Sequence, residues 1–416
     1  MKVWICIAYD PLPGIDLTTR LLRYGTLANR LAGCGHSVVL WTSTFDHVRK
    51  RQRFDTDRSV DVNENLRIEL LNAPAYPRNA CWARVQHNRA LAARFRNRAM
   101  AFNRPDLIVA AIPCLELAEA AADYATLNKI PLNVDIQDIW PEAYVSLLPP
   151  AFRGVGRFIF QLEFRRLRRI LDSSDGLTAV SREYLGWAQS HRSSLGENYR
   201  VFHLGYNMPS ASVLAGAKSR SSGFLSRLGL PADRTIATFL GQFGASYDIE
   251  TIVESARILE RERLPLHFAL AGSGDKYANV QRLAKDLSSV TLTGWLEYEE
   301  TLTLLQNSHI GLAAYSRQAP QSLPYKPFEY MAFGLPIVSS LRGELRQIIQ
   351  EGGLGGSYQS GDPASLAAAL RDLTSHPGRL AAAGRSAREA YIRDFDTDRI
   401  IQRFVEYLQQ LGPSAS

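Results

Sequence analysis

A lysine and a glutamate three residues apart are the side chains of this 416-residue chain best suited to bind a reactive ligand. They are Lys326 and Glu329, in the stretch SLPYKPFEYMAFGLPIVSS at 322–340. An ammonium group can hold a diphosphate, and a carboxylate with two acceptor oxygens suits a vicinal diol such as a ribose. The pair therefore predicts a site for a polar, phosphorylated ligand. The alternative is an ordinary core helix that carries a surface ion pair.

A short helix has to position this pair. Pro324 and Pro327 suit the first turn of a helix, Gly334 suits a left-handed C-terminal residue, and Pro336 cannot continue the helix. Residues three apart then share one helical face. The helix N-terminus offers unpaired N–H groups and a positive dipole end, so it could hold phosphate together with Lys326.

Two motifs resemble a known enzyme family. The pattern Pro-x-Lys-x-x-Glu-Tyr-Met-Ala-x-Gly-x-Pro at 324–336 closely resembles the nucleotide-sugar site of family 4 glycosyltransferases of the GT-B fold, especially the bacterial surface-polysaccharide branch. The string Asp-x-Trp-Pro-Glu at 138–142 resembles the same branch. The resemblance implies a retaining, hexosyltransferase-like enzyme. Such an enzyme moves a sugar from a UDP- or GDP-sugar to a hydroxyl of a carbohydrate or lipid-linked acceptor in polysaccharide biosynthesis.

Strands and helices alternate along the chain in two halves, which predicts two parallel α/β sheets. The apolar pattern weakens near 206–234, where we place a linker. The predicted class is α/β, with two Rossmann-like domains facing across a cleft. The predicted domains are an acceptor-side domain at 1–206 and a nucleotide-sugar domain at 207–395. A C-terminal helix within 396–416 should return to the first domain, and the first helix of the chain is predicted over 18–32.

Loops that follow predicted strands should supply the rest of the donor site, because glycine lets a backbone approach phosphate closely. Each loop is equally explained as a turn that closes a βα unit. Trp295 and Leu296 are expected at the nucleotide base, and Gln321, Ser322 or the backbone of 320–323 at the sugar. The predicted binding residues are Gly14, Gly241, Gln242, Gly244, Gly272, Gly274, Trp295, Leu296, Gln321, Ser322 and Leu323.

The chain departs from the family pattern at two places. Family members often carry an Arg and a Lys near the loop at 241–250, and neither is present. They also often carry two glutamates eight apart, but Gln321 stands eight residues before Glu329. Lys326 is then the best-placed cation, with Arg317 a weaker candidate. These departures support the alternative of a non-catalytic sugar-nucleotide or membrane-binding protein. Within the GT-B fold, the alternative enzyme is a nucleotide-sugar epimerase.

Asp138 is the candidate base of the first domain. A positioned carboxylate can take the proton of an attacking acceptor hydroxyl. The alternative is that Asp138 caps a helix whose first turn contains Pro141, and both roles are compatible. With Asp138, Lys326 and Glu329 form the predicted catalytic set.

Several other chemistries lack their motifs. There is no Gly-x-Gly-x-x-Gly, P-loop lysine, Gly-x-Ser-x-Gly or His-x-x-x-His. Dinucleotide oxidoreductase, nucleoside triphosphatase and serine hydrolase activities are therefore not expected. We predict a metal-independent enzyme without a cofactor. The four scattered cysteines favour free thiols over disulfides or zinc.

The net charge of +7 is concentrated in arginine-rich stretches. In one of them, at 152–171, Phe160, Phe164, Leu167 and Leu171 recur at helical spacing beside four arginines. This basic amphipathic helix predicts either contact with an anionic membrane surface or a core helix with a solvated basic face. Nucleic-acid binding is not expected. With neither a membrane-spanning run nor a secretion signal, we predict a cytoplasmic protein, peripheral at the inner face of the membrane.

Overall fold

The structure is a computed structural model that describes residues 1–16, 20–79, 81–146, 148–194, 196–319 and 321–413. The chain divides into two compact units. Unit 1 comprises Met1–His203 and Arg399–Ser416, and unit 2 comprises Leu204–Asp398. No helix in the described ranges combines the length and apolar character needed to cross a membrane.

Parallel strands form the sheet of unit 1. The strands are β1 (Lys2–Cys6), β2 (Ser37–Ser43), β3 (Phe45–Asp46), β4 (Arg51–Gln52), β5 (Arg58–Asn63), β6 (Leu66–Leu71), β7 (Leu107–Ile112), β8 (Leu132–Ile136), β9 (Gly176–Ala179) and β10 (Tyr199–Val201). The main sheet has the order β10-β9-β8-β7-β1-β2-β6-β5, in which β5 is antiparallel to β6. β3 and β4 pair separately. The central strand β7 is buried along its whole length, as expected for a parallel sheet covered on both faces.

Helices cover this sheet, together with a 3₁₀ turn at Pro150–Phe152. They are α1 (Arg23–Gly33), α2 (Trp82–Ala99), α3 (Leu115–Asn128), α4 (Glu142–Ser146), α5 (Arg153–Ile159), α6 (Gln161–Asp172) and α7 (Arg182–Ser190). The predicted start of the first helix at Thr18 lies outside the described residues, and residues 20–22 are not helical. The helix begins at Arg23, whose buried guanidinium bonds Asp135 on β8. A contact across more than 100 residues therefore accompanies this boundary, and local sequence does not show it.

Unit 2 is a parallel sheet of the doubly wound type. Its strands are β11 (Thr235–Leu240), β12 (Leu266–Ala271), β13 (Val290–Gly294), β14 (Ile310–Ala313), β15 (Ile337–Ser339) and β16 (Gly355–Ser357). Their order is β13-β12-β11-β14-β15-β16, and neighbouring strands pair in parallel. The chain order reverses between β11 and β14. In such sheets ligands bind at the carboxyl ends of the strands beside this reversal.

Helices also fill the segment that we predicted as a linker. The helices are α8 (Ala211–Ser219), α9 (Ser221–Leu228), α10 (Ile249–Arg261), α11 (Tyr277–Ala284), α12 (Tyr298–Gln306), α13 (Tyr325–Ala332), α14 (Glu344–Gly352), α15 (Pro363–Thr374), α16 (Pro377–Ala390) and, after a π-helical turn at Tyr391–Phe395, α17 (Thr397–Leu411). The linker prediction for 206–234 was wrong over α8 and α9. Gln306 on α12 donates to the carbonyl of Leu214 at 3.1 Å, and Ala217 and Phe224 are buried. A few well-placed apolar residues are enough to pack this segment against α12.

The last helix, α17, belongs to the core of unit 1. The Phe404 ring stacks on Phe202 with 4.6 Å between centroids, and the Tyr407 hydroxyl donates to the carbonyl of Asn198 at 2.9 Å. The helix thereby adds a row of buried side chains to that core, which are Ile400, Ile401, Phe404, Val405, Tyr407 and Leu408.

Candidate functional site

The helix that carries the opening motif forms as predicted in unit 2. α13 begins at Tyr325 directly after Pro324, which is extended, and Gly334 follows it with a φ of 69°. The N–H of Gly334 donates to the carbonyl of Met331 at 2.9 Å. Lys326 therefore lies in the first helical turn, and Glu329 lies three residues later, and both are half-buried.

The Lys326 ammonium lies against the loop that follows β11. A Cβ added at Gly241 would come within 2.5 Å of Lys326 Cε. The Lys326 Nζ donates to the hydroxyl of Tyr247 at 2.9 Å and lies 4.0 Å from the centroid of that ring. Since Gly241 follows β11 and α13 follows β14, this cation lies at the carboxyl edge of the sheet where strand order reverses. Two motifs predicted separately thus meet at one point.

Glycines let the neighbouring loops pack backbone against backbone. Gly241, Gly272 and Gly274 have φ values of 142°, 144° and 148°, which L side chains rarely adopt. A Cβ at Gly272 would overlap the carbonyl oxygen of Gly241, and one at Gly274 would lie 2.9 Å from the carbonyl oxygen of Phe243. Any side chain here would push two loops apart.

The N–H groups of two predicted phosphate-binding glycines are already used. Gly241 donates to the carbonyl of Ala271 at 2.9 Å, and Gly272 donates to the carbonyl of Gly294 at 2.8 Å. These two glycines therefore act by bringing the loops together. Gln242 is exposed and Gly244 is half-buried in the first of these loops.

The residues before α13 form a mostly buried wall. Leu323 is 3% exposed and Ser322 is 5% exposed. Gln321 is half-buried, and its Oε1 is a buried acceptor with no hydrogen-bond partner among the described residues. An amide oxygen without a partner is the kind of group that a hydroxyl-rich ligand can satisfy.

Trp295 presents most of its indole to solvent at the end of β13. Its side chain is 65% exposed, whereas Leu296 packs partly against the core of unit 2. An exposed aromatic face beside an apolar side chain can stack with a planar base. The structure thus gives both residues surroundings that suit the predicted base site.

Lys276 is a cation that sequence reasoning missed. It follows the Gly272 loop, and its Nζ donates to the carbonyl of Tyr247 at 2.8 Å and to Glu250 at 2.9 Å. The loop at 241–250 contains no lysine, but its neighbour supplies one. The sequence offered one signal for Lys276, which is that it follows a predicted strand next to the one before the loop at 241–250. Loops after adjacent parallel strands meet at one edge of the sheet.

In unit 1, Asp138 lies just beyond the end of β8. Its Oδ1 accepts from the N–H of Ile139 at 2.9 Å, and its side chain is half-buried. Burial raises the pKa of Asp138, although this N–H and the positive charge of Arg84 partly oppose the shift. α4 begins only at Glu142, and in the described residues Asp138 makes no bond to a free N–H of that helix. The helix-cap alternative thus finds no support in its geometry.

A cavity of about 620 Å³ surrounds Asp138. On its floor, Asn88 donates to Glu116 at 3.1 Å and accepts from the Tyr9 hydroxyl at 3.0 Å. Burial raises the pKa of Glu116. The lining therefore mixes charged, amide and aromatic groups, among them Arg84, Asn88, Glu116, Asp138, Trp140 and Tyr144.

Asp135, three residues before Asp138, has a structural role. The Arg23 guanidinium bonds both of its oxygens, at 2.7 and 2.9 Å, and Thr178 and Tyr24 donate to it as well. Burial alone would raise the pKa of Asp135, but Arg23 and these hydrogen bonds hold it below its usual value. A fully bonded, buried carboxylate cannot also serve a ligand.

Gly14 lies in a closed turn well before α1. The N–H of Asp16 donates to the carbonyl of Leu12 at 3.0 Å, and Gly14 has a φ of 71°. Asp16 in turn bonds Arg53 at 2.8 Å. Because α1 begins only at Arg23, Gly14 does not stand at a helix N-terminus. The prediction for Gly14 therefore rests on the close backbone approach that glycine allows.

The basic segment buries much of its predicted apolar stripe, as expected for a core helix with a solvated basic face. Leu167 and Leu171 are buried, and Phe160 and Phe164 are half-buried. A different set of apolar side chains on the same segment is between 56% and 70% exposed, namely Phe152, Val155, Phe158, Ile159 and Leu162.

Half of the arginine cluster on α6 is paired inside unit 1. Arg166 and Arg169 bond Glu119 at 2.9 and 2.7 Å. Arg165 and Arg168 are exposed and form no ion pair in the part of the chain that the structure describes. The described residues also hold no group of three or more His, Cys, Asp or Glu side chains suited to a metal ion.

Comparisons with known proteins agree with this geometry. Residues 234–376 match the family model of the glycosyl transferases group 1. The chain is 25% identical over 312 residues to the putative colanic acid biosynthesis glycosyl transferase WcaI of Escherichia coli, covering 73% of each. It is 26% identical over 166 residues to the amylovoran biosynthesis glycosyltransferase AmsK of Erwinia amylovora, covering 38% of this chain and 41% of AmsK.

Solved structures share the fold over almost the whole length. Sucrose-phosphate synthase from Thermosynechococcus elongatus has a TM-score of 0.71 at 16% identity, covering 99% of this chain and 98% of that one. WaaG, a glycosyltransferase involved in lipopolysaccharide biosynthesis, has a TM-score of 0.62 at 15% identity, covering 98% and 99%. Anabaena HepE, solved in complex with UDP and glucose, has a TM-score of 0.64 at 14% identity, covering 99% and 100%.

The fold and these matches define a glycosyltransferase with two Rossmann-like domains, the GT-B fold. Within that fold the chain resembles the family 4-like glycosyltransferases of surface-polysaccharide synthesis. The class predicted from the motif at 324–336 is confirmed.

Proposed function

We propose that this chain is a retaining hexosyltransferase. It transfers a sugar from a UDP- or GDP-sugar to a hydroxyl of a carbohydrate or lipid-linked acceptor during polysaccharide synthesis. The observation that carries the proposal is the contact of the Lys326 ammonium with the Gly241 loop at the reversal point of the unit 2 sheet. The similarity to WcaI and AmsK, which are named as glycosyltransferases of polysaccharide biosynthesis, supports the proposal. So does the likeness to HepE, which was solved in complex with UDP and glucose.

In this proposal Lys326 stabilises the departing diphosphate. Negative charge on the leaving group grows in the transition state, so a fixed cation contributes more there than in the ground state. Among the described residues Lys326 donates to the hydroxyl of Tyr247 alone, and an ammonium has three N–H donors. The first N–H groups of α13 add the positive end of a helix dipole. This arrangement supplies positive charge without a metal ion or cofactor.

The remaining donor contacts follow from the walls of the same site. Glu329 accepts from the ribose hydroxyls, and the unpaired Oε1 of Gln321 accepts from a sugar hydroxyl. Trp295 and Leu296 hold the base. Gly241, Gly272 and Gly274 keep the loops close enough for the backbone of Gln242, Gly244 and Ser322 to reach the phosphates and the sugar.

In unit 1 the acceptor occupies the cavity around Asp138. Its volume of about 620 Å³ lies within the usual range for small-ligand sites. Asp138 takes the proton of the attacking hydroxyl, and its raised pKa makes its carboxylate a stronger base than an ordinary aspartate. The Asn88–Glu116 pair offers bonding groups for further hydroxyls, and Trp140 and Tyr144 offer flat surfaces for a sugar ring.

The exposed apolar side chains of α5 and α6 favour a lipid-linked acceptor. Ile159 and Leu162 line the Asp138 cavity while remaining 66% and 67% exposed. With the unpaired Arg165 and Arg168 nearby, they support peripheral attachment to the inner face of a membrane. A membrane-bound acceptor would then present its sugar to a cavity whose rim already contacts lipid.

A donor screen followed by a transfer assay tests the proposal. We expect one UDP- or GDP-sugar to raise the melting temperature of the folded chain. We also expect it to release nucleoside diphosphate only when an acceptor extracted from membranes is present, with unchanged anomeric configuration in the product. Donor binding without turnover would indicate a sugar-nucleotide-binding protein. Acceptor-independent change of the donor sugar would indicate an epimerase.

A further inference from the structure

A second cavity of unit 1, also of about 620 Å³, adjoins the other side of α5 and α6. It shares no lining residue with the Asp138 cavity. Its walls combine arginines with an aromatic stack and one carboxylate, and the residues that matter here are Glu142, Arg157, Arg165, Arg168, Trp187 and His191. Neither the family resemblance nor the proposed transfer reaction uses this cavity.

The charge of this cavity favours an anion. Arg157, Arg165 and Arg168 bring three guanidinium groups to its lining, against the single carboxylate of Glu142. Arg157 bonds Oε1 of that carboxylate at 2.7 Å, which neutralises it. Arg165 and Arg168 form no ion pair with other described residues, so two guanidinium groups remain for an anionic ligand. Arginine forks match phosphate oxygens well.

Another part of the cavity lining is aromatic, and the lining also holds polar atoms without hydrogen-bond partners. The His191 ring stacks on Phe164 at 5.7 Å and contacts Trp187 at 4.9 Å between centroids. Trp187 Nε1 and Glu142 Oε2 are buried without hydrogen-bond partners in the described ranges. The first is a donor and the second an acceptor. A ligand that carries phosphate oxygens together with hydroxyls could supply both partners.

Apolar side chains beside the cavity point to a lipid as the source of this phosphate. Phe158 and Leu162 are the chain neighbours of the cavity residues Arg157 and Gln161 and are 70% and 67% exposed, and Leu162 also lines the Asp138 cavity. A soluble sugar phosphate would leave these side chains in water. A phospholipid would cover them with its acyl chains while its head group enters the cavity.

We infer that this cavity binds the head group of an anionic phospholipid with a hydroxylated head, such as phosphatidylglycerol. The inference rests on the membrane attachment proposed above and adds a defined site to it. Since α5 and α6 line both cavities, a lipid held on one side fixes where the Asp138 cavity stands relative to the bilayer surface. The lipid thereby orients the enzyme for a membrane-bound acceptor.

Sedimentation of the full chain with vesicles tests the inference. The vesicles contain phosphatidylcholine alone or with an equal mole fraction of phosphatidylglycerol or phosphatidylserine, which carry the same net charge. We expect tighter binding to phosphatidylglycerol than to phosphatidylserine and little to phosphatidylcholine. Equal binding to the two anionic vesicles would overturn the head-group site while leaving membrane attachment intact. Binding to none of them would overturn both.

Neighbouring arginines of α6 provide a matched pair of variants. Arg168→Ala should weaken binding to phosphatidylglycerol vesicles about tenfold, whereas Arg169→Ala, which removes the same charge outside the cavity, should weaken it about twofold or less. Equal losses would show that only overall charge matters. Trp187→Phe keeps the ring and removes the N–H, and it should also weaken binding selectively.

Soluble glycerol phosphate distinguishes a lipid from a free metabolite. Calorimetric titration of the lipid-free chain should show no binding of glycerol phosphate at micromolar concentration. Micromolar binding that Arg168→Ala abolishes would instead assign the cavity to a soluble phosphate and overturn the lipid. Folding of every variant is checked by thermal melting, and nucleoside diphosphate binding by unit 2 serves as an independent control.

Discussion

The candidate sites of the two units of this glycosyltransferase depend on different parts of the polypeptide, the backbone in one unit and side chains in the other. In unit 2 the site depends on backbone packing, since Gly241 and Gly272 touch where no side chain fits, and Lys326 lies against Gly241. In unit 1 the site depends on side chains from distant segments, such as the Asn88–Glu116 pair beside Asp138. Few other sequences would allow the backbone packing in unit 2, whereas the site in unit 1 can be altered one side chain at a time.

This difference teaches which parts of such an enzyme can diverge. A Cβ in the wrong place moves whole loops, so it damages every function of unit 2 at once. Replacement of one polar group in unit 1 removes one bond and leaves the sheet in place. We therefore expect substitutions of the loop glycines in unit 2 to affect folding and donor binding together, and loss of a polar group in the Asp138 cavity to affect catalysis alone.

The largest effect is expected from Gly272→Ala. The added Cβ would overlap the carbonyl of Gly241 in a backbone conformation that alanine rarely adopts, so unit 2 should lose about 3 kcal/mol or more of unfolding free energy. Thermal melting measures the loss of stability, and nucleoside diphosphate titration measures the accompanying loss of donor binding. Gly223→Ala is the control, because it lies in α9 with open space around its Cβ. A stable Gly272→Ala with normal donor binding would break the comparison.

Asp138→Asn should lower kcat by about 100- to 10,000-fold, the usual range for loss of a general base, with donor affinity unchanged. Burial raises the pKa of Asp138, so the acid limb of wild-type activity should lie above an ordinary aspartate pKa of 3.8 and vanish in the variant. Steady-state kinetics across pH check both effects. A variant with normal kcat, or one whose donor affinity falls in parallel, would remove Asp138 from its proposed role.

The same pKa shift predicts the effect of Asp138→Asn on stability. Because the pKa is higher in the folded state, folding favours the neutral carboxyl. The stability that this contributes to the fold is complete below the unfolded-state pKa and is lost as the pH rises through the folded-state pKa. Above that pH the wild-type fold carries a half-buried charge that asparagine lacks. Urea unfolding at pH 7 should therefore show no loss of stability, which separates catalysis from folding.

Lys326→Ala should reduce kcat about 100-fold, because one fixed donor to the leaving group disappears. Tyr247→Phe is the matched control, since it removes the hydroxyl that Lys326 bonds and keeps the ring beneath the ammonium. We expect the control to lose less than tenfold. If both variants behaved alike, Lys326 would serve to order the Tyr247 loop, and Lys276 would become the candidate cation.

The smallest effect is expected from Glu329→Ala. Donor affinity should fall by about 1.5 to 3 kcal/mol, the cost of losing hydrogen bonds to a charged group, while the melting temperature stays close to that of the wild type. Glu351→Ala, at an exposed end of α14, should change neither. Titration with nucleoside diphosphate decides, and wild-type affinity in Glu329→Ala would leave the motif with a purely structural role.

Features that depend on local sequence were predictable. The boundaries of α13 follow from Pro324 and Gly334, and the strands β11, β12 and β14 end where their apolar runs meet turn residues. The GT-B class followed from one motif of that kind. These successes share a cause, since each depends on residues within a dozen positions of one another.

Features that depend on long-range contacts were not predictable. The start of α1 at Arg23 accompanies its contact with Asp135, and the segment read as a linker folds because α12 offers it a surface. Lys276 reaches the loop at 241–250 from the loop after a neighbouring strand. Glu119 likewise binds two arginines of α6 from another helix.

The place of α17 in the core bears on how the chain folds as it leaves the ribosome. Phe202 belongs to unit 1 and stacks on Phe404, but all of Leu204–Asp398 is synthesised between them. Because domains fold as units during synthesis, unit 2 can complete its core while unit 1 still lacks its last helix. We expect the apolar surface around Phe202 to stay uncovered during this interval, so the nascent chain should bind chaperones there until translation reaches α17.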